Sequence, residues 1–358
     1  MQIRIIAGKS DSGTNQVIDL SQLQNSSLSM LGASGSGKTT KIRDFCYQAA
    51  EQGAQVVIFD ASGDWQGGLL YNPYGVAAPN TVAVSNQVIR RINVRGDGLS
   101  FNPLQQRILP SGNLETFPIV GARIADQMTR AYGPAKAQSL HLSMAVCGYM
   151  KSCIGPYSIG GLLYYIYSLG DKMVNKMMVS VERLMHLCGT VNCGIHNVMP
   201  EFNYPGITIL DFCDVPDQGT QALLTELLVM EILDTRTMMR SEQRVPLILV
   251  FDEAQRFRFD ADSALVRLLR EGRRFGVSGW FSTQYLKKSA DADALGNAAI
   301  QIQFRPVDTQ VRAAARTMSH GDKALEKRLL EELPRLGRGQ FFFRDGNGVL
   351  RKVARAAG

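Results

Sequence analysis

The stretch LGASGSGKTT, Leu31 to Thr40, restricts the fold more than any other part of the chain. Small and apolar residues, SLSM, lead into it, and TTKIRDFCYQAAEQG follows with helical spacing up to a stop at Gly53. QVVIFDASGDW comes next, a buried-strand pattern ending in an acid and a glycine turn. Strand, glycine loop, helix and strand in that order predict a βαβ unit, hence a parallel sheet with a right-handed crossover. Gly32 to Thr39 fit G-x-x-x-x-G-K-[ST] at each fixed position. In that pattern the backbone N–H groups of Gly32, Ala33, Ser34, Gly35, Ser36 and Gly37 turn inward around a phosphate chain. The helix beginning near Thr40 aims its N-terminal dipole at the same anion. Lys38 is placed to reach the β- and γ-phosphates and Thr39 to put its hydroxyl on Mg²⁺.

The second half of such a site is an acid on a neighbouring strand. PLILVFDEAQ supplies Asp252 at the end of an apolar run, where a carboxylate holds Mg²⁺, and Glu253 beside it. A carboxylate at Glu253 can orient and deprotonate an attacking water, which favours hydrolysis over simple binding. No guanine-reading motif is evident, so the expected ligand is ATP. VSGWFSTQ ends a further buried strand on Gln284, a polar side chain at the height of a γ-phosphate or a cap for the next helix.

From about Asn102 to Asn203 the texture changes to Met-, Leu-, Ala- and Tyr-rich helical stretches, such as AKAQSLHLSMAVCGYMKS. The expected organisation is an α/β, RecA-like P-loop NTPase core with a mostly parallel sheet and an all-helical insertion: core over 1–102, insertion over 103–203, core again over 204–358. QIRII and NQVIDL predict a short strand or hairpin before the loop, and GQFFFRDGNGVLRKV a terminal one. His186, Cys188, Cys193 and His196 fall within eleven positions, but without the paired C-x2-C knuckle of a zinc site. Satisfied core residues are the preferred reading there. The six cysteines show no framework spacing and are expected as thiols. No run of about 18 apolar residues occurs, so no membrane span and a cytoplasmic location are expected. A formal net charge of +7 favours anionic partners such as nucleic acid.

Three blocks, LGASGSGKTT, ILVFDEAQRF and LLREGRRFGVSGWFSTQ, together resemble the HerA/FtsK superfamily of P-loop motor ATPases, which includes conjugative coupling proteins. FNPL (Phe101 to Leu104) is similar to the family's Asn-Pro-Leu element, and IFDASGDW to its Asp-x-x-Gly-Glu-Tyr segment with Asp64 in place of Glu. The resemblance implies a hexameric ring around DNA, with duplex favoured over single strands by family analogy, and nucleotide between subunits. It also implies Gln284 as γ-phosphate sensor and Arg273 as the arginine supplied to a neighbour, with Arg274 as its alternative. A basic helix end favouring its own dipole is the plainer account of these arginines. Pore contacts to DNA are expected from Trp65, by stacking, and from Arg256 and Arg258, on phosphates. Two features of the family are missing from the sequence: a β-barrel ahead of the loop and N-terminal membrane helices. A docking platform is then expected in the helical insertion, where a protein partner would bind. The competing readings are an ATPase acting on polypeptide, in secretion or pilus assembly, and a regulatory ring organising a separate effector such as a nuclease.

Overall fold

The computed structural model describes residues 3–10, 12–20, 26–65, 89–99, 101–109, 111–132, 136–188, 202, 205–215, 217–240, 244–257, 259–260, 263–285 and 289–354. The chain forms two compact units, one made of 1–91, 202–210 and 233–358, the other of 92–201 and 211–232.

In the first unit, β3 (Leu28–Leu31), β4 (Gln55–Asp60), β7 (Leu247–Phe251), β8 (Val277–Thr283) and β9 (Ile300–Phe304) are almost wholly buried. Continuous apolar strands of this kind require cover on both faces, which is the condition of a parallel sheet. β3 runs parallel to both β8 and β9, and β7 parallel to both β4 and β8. The register explains the two faces. Phe59, Phe251 and Phe281 lie side by side in neighbouring strands and stack at 4.6 and 5.0 Å on one face. Ile58, Val250 and Trp280 point to the other face, where Phe45 of α1 (Lys38–Glu51) meets Trp280 edge-on at 6.3 Å.

The sheet does not stop at β9. β10 (Phe341–Arg344) pairs antiparallel with β9, β11 (Leu350–Ala354) with β10, and β1 (Arg4–Ser10) with β11 and with β2 (Asn15–Asp19). With β6 (Gly206–Asp211) and β5 (Ile89–Asn93), the full order is β2-β1-β11-β10-β9-β3-β8-β7-β4-β6-β5. The two hairpins expected at the ends of the sequence therefore join into one antiparallel wing on a parallel core.

In the second unit, α2 (Phe117–Tyr132), α3 (Lys136–Ser152), α4 (Ile159–Ser168), α5 (Asp171–Lys176) and α6 (Met178–Cys188) follow one another. α2 approaches α3 so closely that a Cβ on Gly121 would collide with the Ser143 carbonyl. Arg123 forms a little-exposed 2.9 Å ion pair with Glu115 and donates to the Pro103 and Gln105 carbonyls, fixing the segment after Phe101. α7 (Gln218–Met238) divides at Ile232, its first part falling in this unit. The helical unit thus includes a helical stretch beyond residue 203.

Of the proposed zinc ligands, Cys193 and His196 lie outside the described residues. His186 Nδ1 is 3.1 Å from Asp217 Oδ2, Cys188 is a free thiol, and no metal-binding group of three His, Cys, Asp or Glu occurs among the described residues. No described helix is long and apolar enough to cross a membrane.

Candidate nucleotide site

Five parallel strands end along one edge of the sheet, and each delivers a polar element there. The glycine loop follows β3, Asp60 ends β4, Asp252 follows β7, Gln284 follows β8 and Arg305 follows β9. Ligands of open α/β sheets bind at this carboxyl edge.

The loop conformation explains its glycines. Gly35 (φ 72°) and Gly37 (φ 108°) hold left-handed backbone that side chains resist, and Gly37 is the residue before α1. At Gly32 an added Cβ would stand 2.6 Å from Phe304 Cβ, so the neighbouring strand leaves no room there. Lys38 opens α1 and is buried. Its Nζ donates to the carbonyls of Gly32 at 2.7 Å and Ala33 at 3.0 Å. Burial lowers its pKa, opposed by the charges of Glu253 and Asp252 nearby. Thr39 is half-buried and Thr40 exposed on the first turn of α1.

Asp252 is 2% exposed. Burial raises its pKa, helped by the charges of Glu253 and Asp64 and opposed by the Trp65 hydrogen bond. A buried carboxylate near the Lys38 charge, on the sheet edge that carries the loop, fits a divalent cation, whose charge reverses the desolvation penalty. Glu253 has φ 58° and ψ 47°, rare for a residue with a side chain. Such backbone costs of order 1–3 kcal/mol and clusters at functional sites. It turns the carboxylate toward Gln284, whose Nε2 donates to Glu253 Oε1 at 2.9 Å, while Gln255 Nε2 donates to Oε2. Thr283 Oγ1 in turn meets Gln255 Oε1 at 2.7 Å. The acid expected as base and the glutamine expected as sensor are in direct contact.

Arg273 and Arg274 lie in a 3-10 turn, Gly272–Phe275, before the first residue of β8. Gln284 follows the last. A seven-residue strand separates them by about 20 Å, so Arg273 cannot reach the phosphate loop of its own chain. The two arginines differ. Both are exposed, but Arg274 sits over the Phe275 ring at 6.0 Å, whereas the Arg273 side chain makes no hydrogen bond, ion pair or ring contact among the described residues.

Two of the three residues expected at DNA make contacts within the protein. Trp65 is 6% exposed, not a surface ring. Asp60 explains why. Its carboxylate accepts from Gly63 N at 2.8 Å and Trp65 N at 3.2 Å, folding DASGDW into a tight turn that drives the indole inward. There Trp65 Nε1 donates to Asp252 Oδ2 at 3.3 Å, and the Arg43 guanidinium covers the ring at 4.9 Å while donating to the Asp64 carbonyl. Arg256 is half-buried, its guanidinium donating to the Ala61 carbonyl at 2.9 Å. Arg258 lies outside the described residues. The Asp60 turn has a legible signal, an Asp three residues before a Gly. The Trp65–Asp252 bond has none, since 187 positions separate the partners.

If Trp65 supports Asp252 rather than stacking on a ligand, Trp65→Phe should lower unfolding free energy by about 1–3 kcal/mol and Trp65→Ala by about 3–5 kcal/mol. Urea titration of both variants checks this. Native-like stability with lost DNA affinity would return Trp65 to the surface role.

The strand order, glycine loop and acidic pair define a RecA-like P-loop NTPase core. Residues 5–104 match the family model described as Helicase HerA, central domain. The fold is similar to VirB4 of Thermoanaerobacter pseudethanolicus (TM-score 0.70, 15% identity, 99% of this chain and 96% of that one). It is also similar to the plasmid coupling protein TrwB bound to the ATP analogue ADPNP (TM-score 0.62, 15% identity, 91% and 84%). A further TrwB structure, described as a bacterial conjugative coupling protein in unbound form, gives a TM-score of 0.64 at 15% identity over 98% of this chain and 88% of that one. No curated protein is significantly similar in sequence. The resemblance to HerA/FtsK-type P-loop ATPases, carried by the three sequence blocks, is borne out by both kinds of comparison.

Proposed function

We propose that the chain is an ATP hydrolase that works as a hexameric ring and couples hydrolysis to movement of DNA. The observation that carries the ATPase part is the convergence of the Gly32–Thr40 loop, Asp252 and the Glu253–Gln284 pair at one edge of the sheet. In this reading the loop N–H groups and Lys38 hold the phosphate chain, and Thr39 and Asp252 hold Mg²⁺. The ion supplies positive charge against the phosphate oxygens. Glu253 takes a proton from water as that water's oxygen bonds to the γ-phosphorus, and the bridging oxygen leaves with ADP. Gln284 links the charge of Glu253 to the γ-phosphate position. TrwB, whose fold is similar, has been seen with ADP and Mg²⁺, which supports this ligand pair.

Arg273 supports the ring. A free guanidinium about 20 Å from its own phosphate loop serves catalysis if it enters a neighbour's site. DNA as substrate is supported by the net charge of +7 and by the fold shared with a plasmid coupling protein. With Trp65 buried, a stacking contact to DNA from its indole is disfavoured. The helical unit supports a protein partner instead. Tyr164, Tyr167, Met178 and Met185 are more than half exposed there, an apolar surface unusual for a face meeting only water.

Turnover measured with and without duplex DNA separates the readings. The expected result is stimulation that falls steeply as salt rises, because phosphate contacts release counterions. Turnover indifferent to DNA at every salt concentration would remove the DNA part and favour a polypeptide substrate or an effector-bound ring.

A further inference from the structure

The geometry points to a ribonucleoside subsite beside the phosphate loop, in which Asp308 receives the ribose hydroxyls and Arg305 and Arg338 flank the phosphates nearest the sugar. It rests on the nucleotide-binding reading above and adds to it the half of the ligand that the loop motif does not address.

A bound triphosphate has a direction. Asp252, Glu253 and Gln284 follow β7 and β8, on one side of β3, so the terminal phosphate lies toward them. β9 lies on the other side of β3. The sugar and base therefore leave the loop on the β9 side. An open cleft of about 420 Å³ is present there, bounded by residues 33–36, 305–308 and 336–338. That volume lies within the range of small-molecule sites, roughly 300–1,000 Å³.

Its walls are fixed to the loop. Ala33 N donates to the Arg305 carbonyl at 2.7 Å, and Gly339 N to the Ser36 carbonyl at 2.9 Å. A Cβ on Gly37 would stand 3.3 Å from the Gly339 backbone, so the two segments are already in contact. The Ser36 hydroxyl is buried at this junction without a hydrogen-bond partner. Around the cleft, Arg305, Asp308 and Arg338 are exposed, and their side chains make no hydrogen bond or ion pair among the described residues.

Two guanidiniums and a carboxylate left without protein partners, on walls bolted to a phosphate loop, suit a ligand carrying both anionic and hydroxyl groups. A carboxylate is an acceptor only, so Asp308 is wrong for phosphate and right for a ribose diol. The arginines offset its charge and match phosphate oxygens. Val307, 38% exposed, supplies apolar surface for a base above the buried Pro306 and Leu336. No Asn or Gln is among the lining residues to read a base edge, so selectivity falls on the sugar more than on the base.

The test is isothermal titration of the full chain with ATP, 2′,3′-dideoxy-ATP and inorganic tripolyphosphate, in the presence of Mg²⁺. Wild type is expected to bind ATP about 10-fold or more above the dideoxy form, the worth of hydrogen bonds to a charged group. In Asp308→Ala that ratio should fall to near unity, with tripolyphosphate bound as well as before. Arg338→Ala should weaken ATP severalfold. Both side chains are exposed, and circular dichroism confirms that the variants are folded. An ATP-to-dideoxy ratio unchanged by Asp308→Ala, or ATP affinity unchanged by Arg338→Ala, would overturn the subsite while leaving nucleotide binding in place. Wild-type protein that binds neither ATP nor tripolyphosphate, or a Lys38→Ala variant that binds both normally, would overturn the nucleotide reading itself.

Discussion

Arg273→Ala is expected to reduce ATP turnover by roughly 10³–10⁵-fold, the effect of an arginine delivered to the transferring phosphoryl group. In the proposed ring this effect depends on assembly. Arg273 precedes β8 and Gln284 follows it, so seven strand residues, about 20 Å, stand between the guanidinium and its own subunit's site. Arg274 rests on Phe275 and is the weaker choice of the two. Arg274→Ala should therefore leave most of the turnover. The decisive measurement mixes Arg273→Ala with Glu253→Gln protein. Each is inactive alone. Together they form some interfaces in which an intact Glu253 faces an intact Arg273, and turnover should return. Failure to recover any activity across mixing ratios, with mixed rings shown to form, would mean that Arg273 does not act between subunits.

Glu253→Gln is expected to bind ATP as wild type does and to hydrolyse it about 10²–10⁴-fold more slowly, the usual contribution of a positioned general base. The amide keeps the size of the side chain and the left-handed backbone at this position, so its fold should persist. What it removes is the basic oxygen. It also disturbs the pair with Gln284 and Gln255, since two amide donors now face an amide in place of a carboxylate. Single-turnover hydrolysis beside nucleotide retention on a filter separates the steps. Wild-type hydrolysis would end the role of Glu253 as base. Loss of binding together with hydrolysis would show it to be structural. Lys38→Ala is the contrasting control. Its loss should appear first in binding, because the ammonium lies inside the loop itself.

The glycine loop was legible because its information is local. Eight consecutive positions specify a turn, a cation and a helix start, and the left-handed φ values at Gly35 and Gly37 are what those glycines are for. The buried strands were legible for a similar reason. An apolar run such as LILVF admits few environments, and the polar residue ending it must sit at the sheet's edge. Asp252, Glu253 and Gln284 followed directly from that rule.

Tertiary structure alone decided the rest. Trp65 has the sequence context of a mobile glycine-rich loop, yet the Asp60 turn sends it under Arg43 and onto Asp252. Arg256 has the context of a free surface arginine, yet it is half-buried and bonded to the Ala61 carbonyl, 195 positions away. The antiparallel wing that joins the first and last strands depends on β1 pairing with β11, more than 300 positions along the chain. The cleft beside the loop likewise needs 305–308 and 336–338 brought together. Periodicity and motif spacing report on what a residue's near neighbours in the chain require. A hydrogen bond or a strand pairing across hundreds of positions is set by which surfaces remain after the core has packed, and no local pattern carries that choice.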